Sequence, residues 1–217
     1  MIEIADPERA LAIAYAPADR RSALTALFAL DERLASIVAA TTEPTIGLIR
    51  LAWWRESLEK LDREPPPAEP LLQALASLFP LGLTGVALSE IEDGWAALLD
   101  GDLDDAALAR HAQRGGNLFA LAARILGDPA TPVAAAGEGW ALADLGHRHS
   151  VPDVQKRARQ KARGILAVAP IATWPKPLRP LGMLAVLARK DAAHNDVRRQ
   201  GAPGRLLRML ALRITGR

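Results

Sequence analysis

The stretch Arg20–Leu61, RRSALTALFALDERLASIVAATTEPTIGLIRLAWWRESLEKL, decides the fold. Leu24, Leu27, Phe28, Leu34, Ile37 and Val38 recur at steps that keep one face of a helix apolar. After a break at Thr41-Thr42-Glu43-Pro44, Ile46, Ile49, Leu51, Trp53, Trp54, Leu58 and Leu61 predict a second helix with a broad apolar face. Thr41 or Thr42 is the expected cap of that second helix, and Pro44 suits its first turn.

Outward from this hairpin the chain keeps the same character. Alanine and leucine dominate and aromatic residues make up only 4% of 217 residues, so the expected class is all-α. Half the residues are hydrophobic, enough for a single domain with a substantial core. Cysteine is absent, which excludes disulfides and thiolate chemistry and fits a reducing, cytoplasmic setting. No apolar run approaches the roughly 20 residues of a membrane span, and MIEIADPERA reads as no signal peptide.

Asp6 and Pro7 open a first helix over 6–18, and PPP at 65–67 interrupts the chain. Helices follow over 70–79, 89–99, 106–127, 132–148, 154–170 and 178–190, with a basic amphipathic one at 204–213. Asp100–Asp105 is a break and a cap; it lacks the length and terminal glutamate of a calcium loop. Gly115-Gly116, inside a helix, costs about 1 kcal/mol per glycine against alanine and implies a bend, a cavity or close helix approach. His147 and His149 sit on different helix faces, and His111 and His194 read as isolated.

Charge is unevenly distributed. Residues 148–217 carry 16 Lys/Arg against Asp153, Asp191 and Asp196, while residues 1–147 carry 11 Lys/Arg against 22 Asp/Glu. A basic C-terminal third either seeks an anionic partner or packs over the acidic remainder of the same chain. No aromatic side chains interleave the basic run at 156–163, which argues against nucleic acid. The helix at 204–213 either lies on an anionic bilayer or closes the bundle.

Leu27-Phe28-Ala29-Leu30, followed by Arg50-Leu51-Ala52-Trp53-Trp54-Arg55, resembles the squalene/phytoene synthases, the head-to-head prenyl transferases. Gly139-Trp140-Ala141 and the small pair before Asn117-Leu118-Phe119 agree with the same family. Thr45-Ile46-Gly47-Leu48-Ile49-Arg50 is most similar to the branch containing the mitochondrial respiratory complex I assembly factor. The resemblance implies a helical bundle of the isoprenoid (trans-prenyl) synthase type. It also implies an apolar tunnel walled by Phe28, Ile37, Trp53, Trp54, Phe119 and Trp140, or the same rings filling a core. Arg20 or Arg21 falls where the family holds substrate diphosphate, though arginines at a helix start are also accounted for by solvation.

In that family two aspartate-rich helices hold Mg²⁺ ions that neutralise a departing diphosphate. Carboxylates four residues apart share one helix face, which suits them to a joint ion. Here the first motif falls on Ala35-Ser36-Ile37-Val38-Ala39, without a carboxylate, and the second retains Asp144 without a repeat. Asp31 and Glu32, a turn earlier, read as a solvated pair. The resemblance therefore implies a protein without catalytic residues, metal or cofactor. It would be an assembly or scaffold factor for membrane respiratory complex I, held to its subunits or to an anionic membrane surface and peripheral on the inner face. The remaining ligand candidates are Arg20, Arg21, Phe28, Arg50, Trp53, Trp54, Asn117, Phe119 and Trp140, for an isoprenoid or lipid. The alternative is an active prenyl transferase of carotenoid or hopanoid synthesis, with Mg²⁺ on Asp31, Glu32 and Asp144.

Overall fold

Asp6 accepts from the backbone N–H groups of Glu8 and Arg9, and Pro7 follows at the first helical position, so α1 (Pro7–Ala14) starts where its residues dictate. The computed structural model describes residues 2–99, 101–194 and 198–216. Asp100, at the start of the expected 100–105 break, and Asp196, one of the three acids of the C-terminal third, lie outside them. Among the described residues there are ten α-helices, four short 3₁₀ turns and no strand.

The hairpin forms as α2 (Arg21–Ala40) and α3 (Pro44–Lys60). Two details differ from expectation. The residue before α3 is Glu43, in extended conformation and without a side-chain cap; the Thr41 hydroxyl instead donates back to the Ile37 carbonyl and finishes α2. The apolar face of α3 also splits. Leu51, Trp54 and Leu58 are buried, while Ile46, Ile49 and Trp53 are exposed, Ile49 at 65%. The spacing 51-54-58 defines one stripe and 46-49-53 another, and α3 has neighbours, α2 and α5, on only one side.

Then come α4 (Pro70–Ala76), α5 (Gly85–Ala96), α6 (Asp105–Ile125), α7 (Ala134–Arg148), α8 (Pro152–Val168), α9 (Arg179–Ala193) and α10 (Pro203–Thr215). Asp104 caps α6 through the Ala107 N–H. α7 packs between α6 and α8 and also against α9. α2 reaches α1, α3, α4, α5 and α6. One continuous apolar core runs through both groups. Each fully buried leucine, such as Leu27, Leu51 or Leu142, contributes about 1.5–3 kcal/mol.

Gly115, the first of the glycine pair, is explained by close approach. A β-carbon on Gly115 would run into the Gly137 carbonyl, and one on Gly137 into that of Gly115. The α6–α7 crossing thus brings backbone against backbone, which no larger residue permits.

α10 closes the bundle: Met209 and Leu212 are buried and the helix packs on α9. Its other face leaves Leu207 and Ile214 exposed. Among the described residues no helix is long and apolar enough to cross a membrane.

Candidate functional site

Among the described residues Asp31 is the most enclosed charge, with 0% of its surface exposed. Its carboxylate accepts from Arg9 Nη1 at 3.1 Å, from Trp95 Nε1 at 2.9 Å and from Arg114 Nη1. Arg114 lies 4.2 Å from the Trp95 ring centroid, and Arg9 lies 4.8 Å from that of Trp140. Burial alone would raise the Asp31 pKa; the guanidiniums, Arg114 foremost, outweigh it and hold the carboxyl below its usual range. The expectation of a solvated Asp31–Glu32 pair is thus corrected. A carboxylate with no water must be matched by fixed cations, and α1 and α6 supply them. Glu32 lies 3.6 Å from the same Arg9 Nη1 and accepts from the backbone N–H groups of Ala5 and Asp6 at 2.8 and 3.3 Å, tying down the chain before α1.

His111 completes this interior. Its Nδ1 faces the Gly94 carbonyl at 2.8 Å, and Nε2 faces Arg114 Nη2 at 3.4 Å. Burial, reinforced by the Arg114 charge, lowers its pKa to about 3, so the ring is neutral, donating from Nδ1.

One turn along α2 from Asp31, the wall changes. Ala35, Ser36 and Ala39 face a cleft of about 280 Å³ whose other sides include Asp6, Arg9, Asp144 and Arg148. The four degenerate motif positions therefore share one space. Asp144 accepts from Arg148 Nε at 2.9 Å and Arg198 Nη1 at 2.5 Å. Burial opposes ionisation there, but Arg198, Arg148 and Arg9 hold its carboxyl well below the carboxylate range. Asp6 accepts from Arg148 Nη2 at 3.3 Å and Gln200 Nε2 at 2.5 Å. The Ser36 hydroxyl is turned to the Arg33 carbonyl.

Behind Asp144 the network continues. Arg205 forms paired hydrogen bonds to Glu8 and to Asp191, and Arg198 adds contacts to both. On α8, Arg157 and Lys161 meet Asp105, and Arg159 donates to the Gly146 carbonyl. Much of the basic C-terminal third therefore meets acids of the N-terminal part within the monomer.

The ligand residues read from the resemblance are not brought together. Phe28, Phe119 and Trp140 interlock, with Trp140 5.5 Å from Phe119 and 6.5 Å from Phe28, so the rings fill the interior instead of walling a tunnel. Trp54 is buried beside Trp53, which is 50% exposed, and Arg50 is exposed on α3. Arg20 pairs with Asp19, and Arg21 Nε donates to the Ala16 carbonyl; neither lines the cleft. Asn117 donates to Glu90 and lines an open groove of about 1020 Å³ among α6, α7 and α8. Arg9, Trp95, Arg114, Arg148, Arg198 and Arg205 define the site without having been singled out in the sequence.

The family model described as squalene/phytoene synthase matches residues 3–143, and the chain belongs to that family, whose fold is the all-α isoprenoid-synthase bundle. A second comparison narrows the likeness. The human protein named NADH dehydrogenase (ubiquinone) complex I, assembly factor 6, is 36% identical over 55 residues, and its bovine counterpart matches equally. The shared stretch is 25% of this chain and 16% of those proteins. No solved structure matches significantly.

The family implies Mg²⁺ between facing carboxylates, and the residues present do not fit it. Beside its methyl groups and one committed hydroxyl, α2 offers only the Glu32 carboxylate, which is engaged by the Ala5 and Asp6 N–H groups and by Arg9, and the α7 carboxylate carries two arginines. Among the described residues no three His, Asp or Glu side chains are grouped to hold a metal ion.

Proposed function

We propose that the protein is a non-catalytic squalene/phytoene synthase relative that acts as an assembly or scaffold factor for membrane respiratory complex I. The observation that carries the non-catalytic part is the cleft wall of Ala35, Ser36 and Ala39 facing an Asp144 already engaged by Arg148 and Arg198. A transferase must stabilise several negative charges on a leaving diphosphate, and carboxylate-bound cations do that. Here arginines stand against the carboxylates and keep the site shut by ion pairing. Similarity to the assembly factors supports the partner. The exposed stripe Ile46-Ile49-Trp53 is a surface of the kind a protein partner covers. The protein would work at the membrane surface, as a peripheral factor.

Affinity capture from detergent-treated membranes tests this reading. Complex I subunits are the expected catch, lost or weakened by Ile49→Asp with Trp53→Ser. Recovery of no respiratory-chain subunit would contradict the assembly role.

A further inference from the structure

A second pocket, also about 280 Å³, opens where the ends of α7 and α9 meet the first turn of α10. It uses no residue of α2 and lies apart from the wall that carries the degenerate motif. Its floor is Asp191, already matched by Arg205 and Arg198. Around that neutralised floor stand Lys190, Arg199, His147 and His194.

Lys190 and Arg199 have no carboxylate partner among the described residues, whereas Arg198 and Arg205 in the same pocket are paired with Asp144 and Glu8. The two imidazoles are anchored by one nitrogen each. His147 Nε2 faces the Asp191 carbonyl at 3.2 Å, and His194 Nδ1 faces that of Lys190 at 3.0 Å. The other ring nitrogens remain for a ligand. The first turn of α10 adds to this field: Ala202 provides no side-chain cap, Pro203 has no N–H, and a β-carbon on Gly204 would meet nothing within 4 Å.

We propose that this pocket binds a phosphate group, carried either by a small phosphorylated molecule or by an anionic lipid headgroup. A tetrahedral hydrogen-phosphate dianion accepts hydrogen bonds from the ammonium and the guanidinium, and its own hydroxyl can donate to the imidazole nitrogens left over. The site stands independently of the assembly reading, because it needs neither the cleft nor the α3 stripe. Arg198 and Arg205 keep their internal carboxylates and form the base on which the free cations are displayed.

Amide and imidazole NMR signals are followed while inorganic phosphate is added, and sedimentation is measured with phosphatidylcholine vesicles with and without phosphatidic acid. The same measurements are made on Lys190→Gln/Arg199→Gln, whose changes lie at the pocket edge and leave the core intact. Saturable shifts at Gly204 and His194, weakened about tenfold or more in the double variant, are expected with phosphate. Phosphate binding without vesicle binding identifies a soluble phosphorylated ligand. Vesicle binding that requires phosphatidic acid and both cations identifies a headgroup. Absence of saturable shifts and of acid-dependent vesicle binding would overturn the proposal. So would responses unchanged in the double variant, or vesicle binding lost only on Leu207→Ser/Ile214→Ser.

Discussion

Asp31 and Asp144 lie on different helices, and both are held ionised by arginines, yet one belongs to a sealed interior and the other borders an open cleft. Around Asp31 every partner is buried: Arg9, Arg114 and the Trp95 indole close on it from three helices. Around Asp144 one partner, Arg148, has 54% of its side chain exposed, and a cleft remains beside it. The first arrangement is a keystone that cannot be opened without unfolding its neighbours. The second borders a cleft and is held by side chains that could leave, Arg148 being half exposed.

Substitutions at the keystone have the largest expected effect. Asp31→Asn leaves the buried Arg114 guanidinium without its counter-charge and Arg9 with only Asp6 and Glu32, and chemical denaturation should report a loss of about 3–5 kcal/mol. Arg148→Ala, against it, should cost less than about 1 kcal/mol, because the pair is largely solvent-screened on the arginine side. Equal losses at the two sites would break the contrast.

Next comes the helix crossing beside the keystone. Gly115→Ala improves local helix propensity by about 1 kcal/mol, yet its methyl group meets the Gly137 carbonyl. The net expectation is a loss of about 1–3 kcal/mol, read as a fall in Tm.

The pH dependence sharpens the comparison further. His111 is neutral in the fold with a pKa of about 3, while an unfolded histidine titrates near 6.5. Between these values the unfolded chain binds the extra proton, so stability falls as pH drops through that window. The steepest slope is about 1.4 kcal/mol per pH unit. Asp31 and Asp144, held low, contribute fully above the ordinary carboxylate value of 3.8 and lose their contribution only as pH falls below it. Glu92 is raised by burial and acts in the opposite direction, losing its contribution as pH rises above about 4.5. The difference between wild type and His111→Asn, which keeps a donor for Gly94, therefore isolates the histidine; the variant's stability curve should be flatter between pH 6.5 and 5.

The hairpin and the positions of the helices could be read from the sequence because each rests on local spacing, while Gly115-Gly116 left a bend, a cavity and close approach open until the structure set Gly115 against Gly137. Pro7, Pro44, Pro70, Pro152 and Pro203 all open helices where their fixed φ suits them. The emptied motif at Ala35-Ser36-Ala39 was legible for the same reason. The Asp31 keystone was not. Its partners Arg9, Trp95 and Arg114 stand 22, 64 and 83 residues away, and charge identity alone does not tell a buried aspartate from a solvated one. The split face of α3 escaped for a related reason. Periodicity shows that residues share a stripe, not whether a neighbour covers it. His194, which seemed isolated, shares a pocket with His147 because the chain between them folds back as α8 and α9.

Diphosphate release from geranylgeranyl diphosphate in the presence of Mg²⁺ tests the closed cleft most directly. No release above the protein-free background is the result this structure calls for. Mg²⁺-dependent release that Asp144→Ala abolishes would contradict it.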